Sequence, residues 1–409
     1  MRNIFFAALA AFALSGCGDK DSLEISISNP IDIERNGEMV EIPVKNVYDQ
    51  LKLKDDATFV ILDDAANEVP YQITYDNKVV FPVTIAAGEN LNYTIQKGTP
   101  ATVTAVVYGR QYPERMDDLA WENDRAAYRA YGPTLQKLGE KAFGYDVFTK
   151  SVSELVVEDR YAKELDPVLR PKIRQLRKEG KMKEAREIEV GISYHIDHGN
   201  GMDAYAVGPT LGGGVAALYP DNQIVYPYCY KDYEILDNGP LRFTVKLTFT
   251  PLTVEGNDKV VETRVIQLDK GSHLNKTTIT YSSLTERTPI VAGLVIHAAH
   301  PDRYAYDAQA GYIAYADPST NVEAGNGIIY VGAVFPDVMK EAKVEMFEKP
   351  AGDAIGHVLG VGEYVPESEF VYYWGSGWSK AGIENDESWN NYLKNYAQSV
   401  RNPLKVTVK

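Results

Sequence analysis

The sequence predicts a mainly β protein of antiparallel sheets, with a small N-terminal β-sandwich, a larger β domain and a short helical insertion. Three observations predict it. Short β-rich runs separated by turn residues fill Leu23 to Gly98, and longer alternating runs at meander-like spacing fill most of the chain after residue 220. A single stretch rich in Leu, Lys, Glu and Arg interrupts them.

The chain opens MRNIFFAALAAFALSGC, with Arg2, an apolar run from Ile4 to Leu14 and a small-residue stop at Cys17. Residues 1–17 therefore read as a signal peptide, whose apolar core is too short to span a bilayer. Leu14-Ser15-Gly16-Cys17 resembles the lipobox of bacterial lipoproteins, which implies lipidation at Cys17; a plain secretory signal is the alternative reading. Residues 18–23 read as a polar tether. The expected location is a lipid anchor in the bacterial cell envelope, at the outer membrane, with the membrane as one partner.

The runs "LEISISNP", "MVEIPVKN", "ATFVILDD", "VPYQITYDNKVVFPVTI" and "NLNYTIQKG" predict a β-sandwich over 24–102. VPYQITY alternates between a buried and a wet face, and Asp76-Asn77 reads as a hairpin turn. Residues 103–409 form the larger domain, with "KVVETRVIQLD", "HLNKTTITYSS" and "PIVAGLVIHAAH" among its strands. The helical insertion covers about 159–189 and is divided by Pro167, Pro171 and Gly180. It suits either a lid over a cleft or a solvated helical hairpin on a sheet edge.

With Cys17 lipidated, Cys229 is the only other cysteine, so the fold rests on its core and not on an intramolecular disulfide. At 409 residues and 44% hydrophobic content the chain can bury one large core or two moderate ones. A formal charge of −15 without a basic stripe argues against a nucleic-acid partner. An acidic ligand is still compatible, because the field in a cleft follows its lining. Tyrosines, 28 against 12 phenylalanines, point to half-exposed rings that suit sugar clefts or wet sheet surfaces.

Four stretches carry candidate chemistry. In "YHIDHGNGMD", an extended Tyr194 to His198 would send His195 and Asp197 to one face and Tyr194, Ile196 and His198 to the other, before a turn at Gly199 and Gly201. His195, Asp197, His198 and Asp203 could hold a divalent cation, calcium or zinc, or a histidine could act as acid or base with an aspartate fixing its tautomer. A hydrogen-bonded loop is the plainer reading. The His-x-Asp-His core resembles the metallo-β-lactamase motif, but Ser193 stands where that motif needs another histidine.

"WENDRAAYRAYGP" offers Trp121 and Tyr131 as stacking surfaces, Glu122 and Asp124 as carboxylates, and Arg125 with Arg129 as a fork for a substrate carboxylate. A salt-bridged surface strand would look the same. In "IHAAHPDRY", His297 and His300 end an apolar strand, and in "FVYYWGSGWSKAG", Trp374 and Trp378 flank a pliable loop that could wall a sugar site.

"AWENDRAAYRAYGP", "YHIDHGNGMDAYAVGPTLGGG" and the lipoprotein start resemble a domain-of-unknown-function family of exported proteins from glycan-degrading Gram-negative bacteria, from about Ile25 to the C-terminus. The resemblance implies a galactose-mutarotase-like antiparallel β-supersandwich and a context of uronic-acid-containing glycans. It transfers no catalytic residue, and fold alone does not decide function.

The expected function is a carbohydrate-active lipoprotein acting on an acidic glycan or oligosaccharide, foremost as a polysaccharide lyase. Elimination at a uronic acid needs the carboxylate neutralised, a base for the C5 proton and an acid for the leaving oxygen. Arg125 and Arg129 are assigned to the carboxylate, His195 or His198 to the base and Tyr194 to the acid, with Asp197 or Asp203 orienting a histidine or holding a cation. A hydrolase would pair Glu122 or Asp124 with Asp197 or Asp203. A non-catalytic glycan-binding lipoprotein and a mutarotase-type epimerase complete the alternatives.

Overall fold

The computed structural model describes residues 22–54, 57–318, 325–337 and 339–409, and the statements below refer to these residues. Cys17, the leader and residues 18–21 of the tether lie outside them. Ser22 and Leu23, read as the end of the tether, already belong to the first strand, Ser22–Ser28. Among the described residues no helix is long and apolar enough to cross a membrane.

Strand makes up 46% and helix 17%, so the chain is mainly β, and its ladders are antiparallel. The N-terminal sandwich sets a five-stranded sheet against a three-stranded one built from Arg35–Pro43, Lys78–Ile85 and Gln72–Ile73. Leu23, Ile25 and Ile27, alternating along the first strand, meet Phe81 and Ile95 in its core. The hairpin at Asp76-Asn77 forms, with Asn77 at φ +57° and its N–H donating to Thr74 O. The five-stranded sheet also takes in the last strand, Lys405–Val408, paired with Ile25–Ser28 of the first. The division at residue 103 is thus not a clean cut, because the chain end returns to complete the first unit.

The larger unit is organised on a nine-stranded sheet running from Tyr230–Asn238 at one edge to Tyr304–Asp307 at the other. In its strand Asn257–Asp269, Val260, Glu262, Arg264, Ile266 and Leu268 are buried and the intervening residues are half-exposed, the two-residue period of a sheet with one covered face. A four-stranded sheet containing Gly213–Leu218 and Thr288–His297 packs on that face. Gly213–Leu218 is buried along its whole length, and Thr288–His297 everywhere but at Pro289. A further four-stranded sheet, from Tyr108–Tyr112 through Asp118–Glu122 and Ala126–Ala130 to Asp146–Thr149, joins the same core.

The helix Asp386–Arg401 covers the opposite face of the nine-stranded sheet. Trp389, Leu393 and Ala397, each four residues on, pack against Ala314, Ala316 and Tyr330, and the Asn385 side chain caps the first turn by accepting from Ser388 N. Three shorter helices, Val157–Glu164, Leu169–Lys178 and Met182–Ile192, fill the helical stretch. The first anchors through Val157 and Tyr161 against Tyr112 and Phe148; the other two close on each other through Ile173, Leu176 and Ala185. The third delivers the chain directly into Tyr194.

Candidate functional site

Tyr194–His198 is a turn, not the strand expected from its alternation. Local hydrogen bonds decide this: Asp197 Oδ1 accepts from the N–H groups of Gly199 (2.9 Å) and Gly201 (3.0 Å), and Asp203 N–H donates to Tyr194 O (2.9 Å). Gly201 has φ +96°, and a Cβ there would lie 2.1 Å from Thr149 O. Only glycine lets the loop rest directly on the strand Asp146–Thr149.

His195 projects from this turn with its Nδ1 3.0 Å from the main-chain oxygen of Asp203. A carbonyl can only accept, so Nδ1 carries the proton and Nε2 keeps its lone pair. Desolvation lowers the pKa of His195, and the guanidiniums of Arg129 and Arg115 reinforce it against the opposing bond to Asp203. The side chain is 56% exposed, and the lowered pKa favours the neutral imidazole, with Nε2 free of protein partners among the described residues.

Behind His195 lies a buried charge cluster. The Arg129 guanidinium bonds to Asp146, lies 3.3 Å from Asp203 and 3.5 Å from Asp118, and sits over the rings of Tyr131 and Phe148. Burial, with the charge of Asp146 beside it, pushes the Asp203 carboxyl well above the usual range, against the pull of Arg129. Arg115 donates to the Tyr194 hydroxyl at 3.0 Å, and Arg129 approaches the same oxygen at 3.5 Å. Tyr194 thus directs its hydroxyl inward, which removes it from the expected role of acid to a substrate.

In front of His195 opens a cavity of about 820 Å³, lined also by Asp197, Ser193, Glu164, Arg186, Asn326 and Lys380. Lys380 Nζ stands 3.9 Å from Asp197 Oδ2 and 5.4 Å from the centre of the Trp378 ring. Arg186, on the helix Met182–Ile192, is largely exposed, with Nη1 3.6 Å from Glu189. Two cationic side chains therefore line the cavity with the histidine, one from the helical insertion and one from the loop after Phe370–Trp378.

Several sequence expectations are corrected by position. Trp121, Trp374 and Trp378 are buried, with their indole N–H groups donated to Asn275 Oδ1, Thr277 Oγ1 and Asn326 O, and Trp374 is stacked on Tyr145 at 3.9 Å. They are core and offer no stacking wall. Glu122 is buried and consumed by Lys150 Nζ (2.7 Å) and the N–H groups of Val156 and Val157 (2.9 and 2.8 Å), anchoring the start of a helix. Arg125 and Arg129 do not form a fork: Arg125 is exposed beside Asp124 (3.9 Å), whereas Arg129 is locked inside. Asp124 accepts from Gly271 N at 2.6 Å, and Tyr131 donates to Asp146 at 3.1 Å.

His198 is exposed, with Nε2 3.1 Å from Ser193 O, and staples its own loop. His195, Asp197, His198 and Asp203 do not converge on a cation: among the described residues no group of three or more His, Cys, Asp or Glu is arranged to hold a metal. His297 is buried, with Nδ1 3.0 Å from Asp317 Oδ2 and Nε2 2.9 Å from Ala206 O. Burial opposes its charge, yet the carboxylate of Asp317 raises its pKa, and two facing acceptors suit an imidazolium in the core. His300 accepts through its main-chain oxygen from Tyr315 OH at 3.1 Å and lies in the turn that follows. Lys380 and Arg186 were not singled out from the sequence. Lys380 stands two residues beyond Trp378, in a stretch read for its rings, while Arg186 carries no local signal among the charges of its helix.

A family model described as "Domain of unknown function (DUF4861)" matches residues 27–406. "Uncharacterized protein P7" of Formosa agariphila is 25% identical over 435 residues, covering 99% of this chain and 98% of that protein. Among solved structures, an alpha-mannosidase from Enterococcus faecalis V583 gives a TM-score of 0.47 at 9% identity over 95% of this chain and 46% of its own. A glycosyl hydrolase family 38 protein from Enterococcus faecalis gives 0.45 at 9% identity, over 95% and 48%. The chain spans about half the length of these two structures.

Proposed function

The chain belongs to the DUF4861 family, and from its own site we propose that it acts on an acidic saccharide by β-elimination, with His195 as the base. The observation that carries this is the His195 imidazole: its Nδ1 is engaged by the Asp203 carbonyl at 3.0 Å, and its unpartnered Nε2 belongs to a residue lining a cavity of about 820 Å³. That volume suits a short oligosaccharide.

In the proposed reaction Lys380 and Arg186 neutralise the substrate carboxylate, which acidifies the C5 proton. His195 Nε2 takes that proton, the C–H electron pair becomes the C4=C5 double bond, and the C4–O bond breaks. The imidazolium returns the proton to the leaving oxygen, so the enzyme ends as it began. The buried Arg129–Asp146–Asp203 cluster has a positioning role, holding the main chain of Asp203 against Nδ1. We further propose that Cys17 anchors the folded body to a membrane and that its partner is an acidic glycan met by the local cations Lys380 and Arg186; the charge of −15 without a basic stripe tells only against nucleic acid.

The test is incubation of the protein from Ser22 onward with uronic-acid oligosaccharides, reading ultraviolet absorbance and reducing ends together. Both rising, and both abolished in His195→Ala, supports elimination. Reducing ends without absorbance would replace it with hydrolysis, and measurable affinity without either signal would replace it with binding alone.

A further inference from the structure

We infer that a second cavity, at the seam between the N-terminal sandwich, the nine-stranded sheet and the helix Asp386–Arg401, is a binding site for an acidic saccharide unit. It has a volume of about 510 Å³ and lies apart from the His195 cleft, with no lining residue in common. The inference stands on this cavity alone and does not require the reaction proposed above.

The cavity floor follows from register. Gln267 is opposite Lys276, and Lys276 is opposite Tyr373, so these three side chains share the sheet face beneath the helix. The helix adds Tyr392 and Tyr396, which are four residues apart and so emerge on one side. Tyr396 has its ring centre 5.3 Å from that of Tyr373 and 5.9 Å from that of Tyr392. The Tyr392 hydroxyl accepts from His273 N at 3.2 Å and its ring is stacked on Trp389, so Tyr373 and Tyr396 are the half-buried rings that offer an apolar face to a sugar ring and a polar edge to its hydroxyls.

The cations of the cavity divide into two kinds. Arg242 lies 2.6 Å from Glu41 and 2.6 Å from Asp269, and this buried bridge ties the N-terminal strand Arg35–Pro43 to the large sheet. Lys270 and Lys276 have no ion-pair partner among the described residues and are half-buried on the cavity wall. The lining also carries four carboxylates, of which Glu41 and Asp269 are taken by Arg242 and Glu38 by Arg35 (2.6 Å), leaving exposed Glu34 against the two lysines. Two unpaired ammonium groups against one exposed carboxylate, beside Tyr373 and Tyr396, fit a carboxylate-bearing ring better than a neutral one.

The experiment uses the His195→Ala protein, so that no probe is turned over, with calorimetry and saturation-transfer NMR on digalacturonate and on neutral galactobiose. With the cleft cations also removed (Lys380→Ala, Arg186→Ala), binding of digalacturonate that persists, and that weakens at least about tenfold on adding Lys276→Gln or Tyr373→Ala, is the expected result. Galactobiose should bind more weakly and be indifferent to Lys276→Gln. Circular dichroism melting checks each variant, and Asn395→Ala, on the exposed helix surface, replaces Tyr373→Ala if that variant unfolds. Binding unchanged by Lys276→Gln and by whichever of the other two variants is folded, or equal affinity for the neutral probe, would overturn the inference. Failure of the His195 reading is separable, since it shows as absent ultraviolet product while binding at the seam persists.

Discussion

The Nδ1 atom of His195 lies 3.0 Å from the main-chain oxygen of Asp203, so a backbone carbonyl, and not a carboxylate, fixes the tautomer of the histidine in the cleft. The Asp203 carboxyl is only 3.6 Å from the same nitrogen but is drawn into the cluster around Arg129. From this relationship follows a pH dependence. Desolvation and the nearby guanidiniums lower the pKa of His195, and only the neutral form can take a proton. Turnover should therefore rise with pH through a midpoint below about 6.5, the ordinary histidine value, and then level. His195→Ala should reduce kcat by about 10²–10⁴-fold with an unchanged melting temperature, read by ultraviolet absorbance. A profile rising only above pH 7 would count against His195.

Lys380 and Arg186 are the cationic groups of the cleft outside the interior. Lys380→Ala and Arg186→Ala should each raise KM for a uronate substrate by about five- to fiftyfold, with the loss masked as salt increases. A fall in kcat with KM unchanged would instead assign the cation to the transition state alone.

Arg129 is buried among Asp118, Asp146 and Asp203. Arg129→Met removes one partner and leaves carboxylates unpaired, at a cost of about 3–5 kcal/mol in urea unfolding. Arg125→Met, at an exposed position, should change stability by less than about 0.5 kcal/mol. Equal effects would contradict the inside-outside division of the two arginines.

Gly201→Ala should displace the loop that carries His195, because the added Cβ meets Thr149 O at 2.1 Å and the backbone already has φ +96°. The expected result is loss of activity together with a fall of at least about 2 kcal/mol in stability, while Gly199→Ala, with φ +93° but nothing within 4 Å, should cost only about 1–2 kcal/mol.

Two histidines away from the cleft, buried His357 and half-buried His273, make the fold acid-sensitive. Burial lowers the pKa of His273 to about 4 and that of His357 to about 3. Between these values and about 6.5 the unfolded chain binds protons that the folded chain refuses, so stability declines as pH falls through that window, by up to about 1.4 kcal/mol per pH unit for each group. His297 has the opposite sign, since its raised pKa makes its contribution present below about 6.5 and lost as pH rises through the folded value. His357→Gln, whose amide oxygen can still accept from Leu211 N, should flatten the decline measured by urea midpoints between pH 7 and 5.

The sequence by itself determined the antiparallel β architecture, the hairpin at Asp76-Asn77 and the stretch from which His195 and Asp197 reach a cavity. Two-residue alternation and turn chemistry are properties of neighbours in the chain, and they survive whatever packs on them. Tertiary structure decided which aromatic and charged residues face water. Trp121 and Trp374 read as rings for a sugar site, and only the sheets closing over them made them core. Arg125 and Arg129 carry the same local signal, yet one is exposed and the other encloses three aspartates drawn from Asp118 to Asp203. Lys380 meets Asp197 across 183 positions of chain, and Lys405–Val408 pairs with Ile25–Ser28 across nearly all of it. Such meetings depend on how sheets stack and where the chain returns, and no local period in the sequence encodes them.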